Sequence, residues 1–428
     1  MTIGLQDGFA FGGPLHFILP EFLLKTQRVS EFSKPQYGSD EYWMLQAFKE
    51  SLLGIGISNP NPTVGCVLVD SSGTEIARGH TQAYPGCHAE RDAFNQLHGF
   101  SQWVGSTAYI TLEPCSHQGN QPPCVDLLIA SEIKRVVIAR FDPNPLVRGA
   151  GIKKLQEAGK EVELGPFKAE STAWNFPFFA YQTLKRPVIA LKWAQTLDGQ
   201  LTDDSFHSQW ISGDCARAYT HWLRQRYDAI LVGGQTVLTD APQLTARNCA
   251  HLDPSQPLAQ PLPMVFDPQG LCLKLDVAAQ KRLKDRTFSE SRTVVYITLE
   301  STLNLYPSPW IERQKNIILL KLPGTHLLSE LINLFAGAEV TKALGHPLQS
   351  VMIEGGPKTL TSFLNSGLAD LLHVIISPKI TGGLKNRIYT HRLLQESEKF
   401  QLVSTSRLGD DLLIELIPSQ LYSQVFQN

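Results

Sequence analysis

Four residues in the first third of the chain have the types and spacing that a catalytic zinc site requires. His88 and Glu90 lie in the segment CHAERDAF, and Cys115 and Cys124 enclose the segment SHQGNQPP. Zinc binds imidazole nitrogen and thiolate sulfur, and a catalytic site has three protein ligands with its fourth position open. His88, Cys115 and Cys124 meet that count, so we predict that they bind one Zn²⁺ per chain.

Glu90 is the candidate proton donor and acceptor of this site. Zinc lowers the pKa of a water molecule towards neutrality, and a neighbouring carboxylate then transfers the proton to a ring nitrogen and to leaving ammonia. The order His–x–Glu followed by Pro–Cys resembles that of zinc-dependent nucleobase deaminases. A single His or Cys is more often structural, and that is our interpretation for the remaining core candidates, Cys66, Cys215, Cys249 and Cys272.

Alternating helices and strands are predicted around these residues. An apolar stripe over residues 43–53 predicts a helix, with Asp40 placed to cap it. Further helices are predicted over 89–97, 124–131 and 152–158, and strands over 64–69, 108–112, 135–139 and 162–164. This alternation predicts an α/β domain with a largely parallel sheet, in which each zinc ligand lies beside the end of a strand or helix.

A second alternating series follows a polar joint at residues 182–186. Strands are predicted over 187–193, 229–234, 264–267, 293–298, 317–322, 351–353, 374–376 and 412–416, and a helix over 215–226. We therefore predict two α/β domains, over residues 39–183 and 184–428. Residues 1–38 lack periodicity and are interpreted as an N-terminal extension, either disordered or packed loosely on the first domain.

Composition excludes several classes of protein. The net charge of −2 comes without long Lys/Arg blocks, which argues against a nucleic-acid partner. No apolar run reaches the roughly 18 residues that span a bilayer, so no membrane partner is expected. Seven scattered cysteines in a chain of 428 residues indicate free thiols and metal ligands rather than disulfides, which predicts a cytoplasmic protein.

The deaminase motifs resemble one family in particular. HAE followed by LEPCSHQGNQPPC, with NPTVGC and DPNP, is similar to the deaminase domain of bifunctional riboflavin biosynthesis proteins. Cytidine and tRNA-adenosine deaminases usually have two residues between their paired cysteines, whereas eight separate Cys115 from Cys124 here. The resemblance implies a cytidine-deaminase-like three-layer fold, zinc at His88, Cys115 and Cys124, and Glu90 as proton donor.

The resemblance also implies that Asn61 and His117 contact a phosphoribosylated pyrimidine. Taken alone, Asn61 is a turn residue between prolines and His117 an ordinary loop histidine. The chain departs from the family at Thr81, where many members have His, and at Asn120, where many have a cation. The departure at Asn120 changes how the ribose phosphate of the substrate would be held, but not the chemistry expected at zinc.

The second half resembles the reductase domain of the same family, which has a dihydrofolate-reductase-like fold. LKWAQTLDGQLT, SQWISG, TVLTDAPQLTAR and IEGGPKTL follow in the family order. The glycines of EGGPKT, between a strand and a helix, let backbone N–H groups approach a phosphate at the helix N-terminus. No GxGxxG fingerprint is present, so a Rossmann domain is not indicated.

This second resemblance implies an NADPH site and a substrate site. The cofactor would contact Ala194, Trp210, Thr236, Asp240, Gly356, Pro357, Lys358, Thr359, Leu360, Thr361 and Ser362, and the substrate would contact Ser208, Arg224, Leu244, Arg247 and Glu354. Departures from the family at Gln200 and Ala241 remove no group that we regard as indispensable.

The expected function is deamination of 2,5-diamino-6-(5-phosphoribosylamino)pyrimidin-4-one, followed by NADPH-dependent reduction of its ribosyl side chain to ribityl. One alternative is a deaminase whose C-terminal domain has lost reduction. Others are a nucleic-acid deaminase, which the Cys spacing and the charge disfavour, and a zinc-stabilised scaffold, which would not need Glu90. The resemblance also implies a homo-oligomer, either a dimer or a tetramer.

Overall fold

The structure is a computed structural model that describes residues 35–97, 103–119, 121–144, 147–203, 210–247, 249, 256–324, 327–383, 387–388 and 398–427. Most of the predicted extension, Asn120 and Ser208 lie outside these residues. The chain divides into two compact units, which are treated separately below. Among the described residues, the N-terminal unit contains those within 35–185, 256–257 and 424–427, and the C-terminal unit contains those within 186–249 and 258–423.

The N-terminal unit is built on one mixed sheet. Its elements are α1 (Asp40–Ser51), β1 (Gly65–Val69), β2 (Glu75–His80), α2 (Ala89–Asn95), β3 (Thr107–Ile110), α3 (Cys124–Ala130), β4 (Arg135–Ile138), α4 (Ala150–Glu157), β5 (Glu161–Leu164), α5 (Lys168–Trp174) and α6 (Phe176–Leu184). The strand order is β2-β1-β3-β4-β5. Strands β3, β4 and β5 are parallel, whereas β1 is antiparallel to both β2 and β3. The predicted sheet was largely parallel, and the difference arises from β2, a polar strand that the sequence analysis did not identify.

Two glycines on β1 and β2 place helices on opposite faces of this sheet. A Cβ at Gly65 would lie 1.9 Å from the carbonyl oxygen of Ala47 in α1, and a Cβ at Gly79 would lie 2.3 Å from the amide nitrogen of Ala93 in α2. Gly79 is paired with Cys66, the neighbour of Gly65, and neighbouring residues of a strand point to opposite faces. Helices α1 and α2 therefore cover opposite faces, and the predicted three-layer arrangement is confirmed.

Helix α1 starts one residue earlier than the sequence analysis predicted. The N-cap is Ser39, whose hydroxyl accepts a hydrogen bond from the amide of Tyr42 at 3.2 Å. Asp40, the predicted cap, instead binds Arg135 through both carboxylate oxygens, at 2.8 and 2.6 Å. The prediction of Asp40 as the cap was wrong, because a long-range ion pair recruits its carboxylate.

The C-terminal unit contains a nine-stranded sheet. Its elements are β6 (Val188–Thr196), α7 (Asp214–Arg224), β7 (Ala229–Gly233), α8 (Gly234–Asp240), β8 (Leu262–Phe266), α9 (Val277–Lys284), β9 (Val294–Leu299), α10 (Glu300–Leu305), α11 (Pro309–Glu312), β10 (Ile317–Leu322), α12 (Leu327–Phe335), α13 (Ala338–Leu344), β11 (Ser350–Glu354), α14 (Pro357–Asn365), β12 (Leu371–Ser377), β13 (Phe400–Leu408), β14 (Asp411–Pro418) and α15 (Ser419–Tyr422). The order is β10-β9-β8-β7-β11-β6-β12-β14-β13, and the α/β class predicted for this half is confirmed.

The strands from β10 to β12 in that order run parallel, and the hairpin β13–β14 adds an antiparallel edge. Strands β7 and β8 are buried at every residue, as expected for parallel strands that are covered on both faces. Ligands of open parallel sheets bind outside the carboxyl ends of the strands. The candidate residues Thr236, Glu354 and Gly356 all follow or end such strands. No helix among the described residues is long and apolar enough to span a membrane.

Candidate functional site

Three side chains of the N-terminal unit converge as a metal site would require. The ligand atoms of His88, Cys115 and Cys124 lie within 4.8 Å of one another. His88 Nδ1 is 3.5 Å from each of the two sulfur atoms. Nitrogen and sulfur ligands of a tetrahedral zinc ion lie about 3.5 Å apart, given the usual bond lengths. The donor types and their separations therefore fit Zn²⁺.

Local structure explains why these three side chains meet. His88 is the N-cap of α2, and Cys124 is the first residue of α3. Cys115 lies in the loop after β3, where the amide of Cys124 donates to its sulfur at 3.3 Å. The hydrogen bond from the Cys124 thiol, together with His88, lowers the pKa of Cys115 to about 4. Cys115 thus favours the thiolate form that a metal ion binds, whereas the same hydrogen bond raises the pKa of Cys124.

Glu90 is positioned beside these ligands. It is the second residue of α2, and only 3% of its surface is exposed. Burial raises the pKa of its carboxyl group, and the neighbouring Cys115 thiolate raises it further. A raised pKa favours a carboxyl group that both accepts and donates a proton. The position and the burial of Glu90 support the role assigned to it, which stays a prediction.

Glu113 orders the loop beside the metal ligands, and the sequence analysis did not identify it. Its Oε2 accepts from the amides of Asp142 and Gly149 at 3.2 and 3.0 Å, and its Oε1 accepts from Gly151 at 3.0 Å. The carboxylate therefore holds the DPNP segment and the first turn of α4 next to Cys115. Its position directly after a predicted buried strand, in the segment TLEPC, is the feature of the sequence that could have identified Glu113 as part of the site.

Asp142 is a second residue that was left out of the predicted site. Burial raises its pKa to about 6, while the nearby His117 acts in the opposite direction. His117 itself is exposed in the loop after Cys115. The amide of Asn144 donates to Oδ1 of Asp142 at 2.8 Å, so this turn holds a buried carboxyl group in the loop.

Asn61 and Thr81 have different surroundings. Asn61 is half-buried, and its backbone is fixed by Ser58, whose carbonyl accepts from the Asn61 amide at 2.9 Å. Its side chain has no hydrogen-bond partner among the residues described. Thr81 is buried, and its hydroxyl accepts from the amide of Val64 at 3.1 Å. Thr81 therefore has a structural role here, in place of the family's histidine.

In the C-terminal unit, two helix starts meet at the carboxyl edge of the sheet. The amide of Gly356, the N-cap of α14, donates to the hydroxyl of Thr236 on α8 at 3.2 Å. A Cβ at Gly233 would lie 2.5 Å from Oγ1 of Thr359. Pro357 occupies the start of α14, as its fixed φ favours. These contacts bring together Thr236, Gly356, Pro357 and Thr359 of the predicted cofactor set.

Arg224 and Glu354 form a bidentate ion pair beneath this edge. Both hydrogen bonds, from Nε and Nη2 of Arg224, are 2.7 Å long. Burial alone would raise the pKa of Glu354, but Arg224 outweighs it and lowers the pKa to about 2. Lys192, to which no role was assigned, is paired with Glu354 in the sheet, and burial lowers its pKa. Lys192 therefore belongs with the substrate candidates.

The loop of residues 244–247 lies against Arg224 and completes this group of candidate substrate residues. Leu244 has a φ of 52°, unusual for a residue with a side chain, and only 1% of it is exposed. Arg224 Nη1 donates to the carbonyl of Thr245 at 2.8 Å, and Arg247 Nη1 donates to the Thr245 hydroxyl at 3.1 Å. Arg224, Leu244, Arg247 and Glu354 are thus brought together, as predicted, although the buried Leu244 side chain leaves mainly its backbone for contact.

The other predicted cofactor residues are more dispersed. Leu360 is fully buried in the core, and its amide bonds to the Gly356 carbonyl. Asp240 ends α8, one turn beyond Thr236, and burial raises its pKa. Trp210 is 61% exposed beneath the guanidinium of Arg217, 4.3 Å from its ring centre. Within the part of the chain that the structure describes, no hydrogen bond or ring contact joins these three side chains. The remaining candidates are Ala194 on β6 and Lys358, Thr361 and Ser362 on α14.

Two family profiles match the chain, one in each half. Residues 38–140 match the cytidine and deoxycytidylate deaminase zinc-binding region, which contains all three predicted zinc ligands and Glu90. Residues 187–414 match the RibD C-terminal domain. The second match covers more than half of the chain.

Similar proteins match over nearly their full length. The riboflavin biosynthesis protein RibD of Aquifex aeolicus is 38% identical over 376 residues, which are 88% of this chain and 97% of that protein. RibD of Escherichia coli is 33% identical, over 88% of this chain and 99% of that protein. A Thermotoga maritima structure described as a diaminohydroxyphosphoribosylaminopyrimidine deaminase/5-amino-6-(5-phosphoribosylamino)uracil reductase has a TM-score of 0.71 at 32% identity, covering 89% of this chain and 98% of that one.

Proposed function

Because the chain belongs to the family of riboflavin biosynthesis proteins RibD, we propose that its two units act in sequence on one phosphoribosylated pyrimidine. The chain is a bifunctional riboflavin biosynthesis enzyme, with a zinc-dependent deaminase and an NADPH-dependent reductase, as the sequence analysis predicted. The substrate of the first step is 2,5-diamino-6-(5-phosphoribosylamino)pyrimidin-4-one. The observation that carries the proposal is the convergence of His88, Cys115 and Cys124 next to the buried Glu90.

In the deaminase unit, His88, Cys115 and Cys124 would hold the zinc ion. When bound, zinc supplies a strong nucleophile at neutral pH by lowering the pKa of water. Glu90 would take up the proton of that water and pass it to the ring nitrogen and to departing ammonia. Asn61 and His117 would orient the pyrimidine, and Glu113 would keep the adjoining loop in place.

In the reductase unit, the loop from Gly356 to Ser362 and Thr236 would bind NADPH, together with Ala194, Trp210 and Asp240. When bound, NADPH supplies the hydride that converts the ribosyl group to ribityl. Arg224, Leu244, Arg247 and Glu354 would hold the sugar phosphate, with Ser208 as a further contact. The contribution of these residues is mainly to position the two reactants.

Glu90→Gln tests the deaminase assignment. Glutamine keeps the shape of the side chain but cannot accept a proton, so ammonia release should fall by at least about 100-fold. NADPH oxidation on supplied deaminated substrate should stay at the wild-type rate, and zinc content should not change. Glu157→Gln, an exposed position on α4, is the matched control. Deamination at the wild-type rate by the Glu90 variant would contradict the proposed role.

Three further proposals concern the whole protein. We assign deamination to residues 39–183 and reduction to the domain that begins near residue 184, with residues 424–427 added to the first domain. All seven cysteines are free, which supports a reducing compartment and hence the cytoplasm.

The family resemblance supports a homo-oligomer, either dimer or tetramer, which size-exclusion chromatography with light scattering would identify.

A further inference from the structure

Residues 424–427, called the 424–427 segment below, pack on the N-terminal unit at two places. Val425 is only 3% exposed, and its carbonyl accepts a hydrogen bond from Nη2 of Arg140 at 3.0 Å. The ring of Phe426 is stacked on that of Phe176, with 6.4 Å between the ring centres and 24° between the planes. The first contact lies just after β4, and the second lies at the start of α6.

The first contact holds a buried cation. Only 4% of Arg140 is exposed, and its guanidinium carbon lies 5.5 Å from the ring centre of Phe179. In the described part of the chain, the Val425 carbonyl is the hydrogen-bond acceptor of this guanidinium, because Nε and Nη1 have no partner there. A buried charged donor that loses its acceptor keeps the cost of desolvation without the bond that offsets it. Loss of the segment is therefore expected to displace Arg140 towards water or another acceptor.

The backbone of Arg140 supports the loop that carries one of the candidate zinc ligands. Its carbonyl accepts from the amide of Glu113 at 2.8 Å, and Glu113 lies two residues before Cys115. This loop is also packed closely against α4, because a Cβ at Gly151 would lie 2.5 Å from the Pro114 carbonyl oxygen. Closely packed groups transmit a displacement to their neighbours. A shift of Arg140 is therefore expected to move Cys115.

The second contact leads to the turn that carries Asn61. Phe176 directly follows Asn175, whose buried side chain forms two hydrogen bonds with the backbone of Thr63. Its Oδ1 accepts from the Thr63 amide at 2.8 Å, and its Nδ2 donates to the Thr63 carbonyl at 3.1 Å. Thr63 lies two residues after Asn61, the predicted pyrimidine contact. The 424–427 segment thus contacts both a residue that supports Cys115 and the neighbour of a residue that supports Asn61.

We propose that the 424–427 segment positions the deaminase site, with Arg140 as a positioning residue for Cys115 and Asn175 as a positioning residue for Asn61. This inference rests on the proposed function, because it concerns the same site. Reaction geometry is sensitive to small displacements, and a misplacement of about 1 Å lowers a rate on the order of 100-fold. Deamination thus depends on a segment that lies 285 residues beyond Arg140 in the chain.

The two contacts predict different kinetic effects in the zinc-loaded, full-length protein. Arg140→Met removes the hydrogen bond to Val425 and should lower the kcat of deamination on the order of 10- to 100-fold, with faster release of zinc to a chelator. Arg140→Lys keeps a charged donor and should restore part of both. Phe426→Ala loosens the Asn61 turn and should raise the KM for the pyrimidine on the order of 3- to 10-fold.

A chain that ends at Ser423 should show both effects together. Gln420→Ala, an exposed position on α15, is the control and should leave kcat, KM and zinc release unchanged. Reduction of supplied deaminated substrate should stay at the wild-type rate in every variant. All rates are measured well below the thermal midpoint, and near-ultraviolet circular dichroism gives the folded fraction of each protein.

Wild-type kcat and KM in the Arg140→Met, Phe426→Ala and shortened proteins would overturn the inference. A loss of deamination that follows only the unfolded fraction would overturn it as well, because the segment would then merely stabilise the fold. If the shortened chain does not fold, the three substitutions still test the inference. Zinc release needs no turnover, so zinc retention that depends on Arg140 and the segment in a protein that does not deaminate would contradict the proposed function alone.

Discussion

At the scale of single residues, the C-terminal unit holds the buried carboxylates of Glu354 and Glu415 in the charged form through specific partners. Glu415 on β14 is an example away from either candidate site. It accepts from Ser404 at 2.5 Å and lies 2.8 Å from His373 Nδ1, while His373 Nε2 lies 2.7 Å from the Tyr227 hydroxyl. Burial raises the pKa of Glu415, but His373 outweighs it and lowers the pKa to about 2. Each buried polar atom of Glu415 thus has a partner, which offsets its desolvation.

This pair predicts acid sensitivity of the C-terminal unit. The pKa of Glu415 is lower when folded than its ordinary value of 4.5. The ionised carboxylate therefore contributes roughly 3 kcal/mol to the free energy of unfolding above about pH 4.5, and this contribution is lost as the pH falls towards 2. Glu415→Gln should lower the free energy of unfolding in urea at pH 7, and the deficit should shrink at pH 3. The exposed Glu339→Gln is the control, and an equal deficit at both pH values would contradict this linkage.

At the scale of elements, strands and helices with a strong apolar period were predictable, whereas those defined by distant contacts were not. The apolar stripe of α1 packs Trp43, Met44 and Phe48 into the core as predicted. Strand β2 was missed because its sequence EIARGH has no apolar alternation; its pairing with β1 determines it. The carboxylate of Glu113 likewise binds amides about 30 to 40 residues away, which local patterns do not reveal.

Glu113→Gln tests the role of that carboxylate in ordering α4 and the DPNP segment. A glutamine amide nitrogen cannot accept hydrogen bonds, so the amides bound by one oxygen would lose their acceptor. We expect the deaminase unit to be destabilised on the order of 3 kcal/mol and to lose zinc faster to a chelator. The exposed Glu157→Gln should change the thermal midpoint little. An unchanged midpoint and unchanged zinc retention in the Glu113 variant would argue against this role.

At the scale of the whole molecule, the sequence motifs anticipated two α/β units and the residues of the metal centre. They did not anticipate that residues 424–427 belong to the N-terminal unit. There the carbonyl of Val425 accepts from Arg140 at 3.0 Å, and Phe426 stacks on Phe176 at 6.4 Å between ring centres. Contacts between residues 250 to 285 positions apart have no local signal. The candidate zinc ligands could be predicted because metal chemistry restricts both their types and their spacing.

The central claim is that one chain performs both steps, and it is tested by following both products in one reaction. Zinc-loaded wild-type protein is given the diaminopyrimidinone ribosyl phosphate with NADPH, and ammonia and NADPH are measured over time. Ammonia release should come first, NADPH oxidation should follow after a lag, and the final ratio should be one to one. Without NADPH, ammonia release should still go to completion. Complete ammonia release with no NADPH oxidation would contradict the claim and leave a deaminase alone.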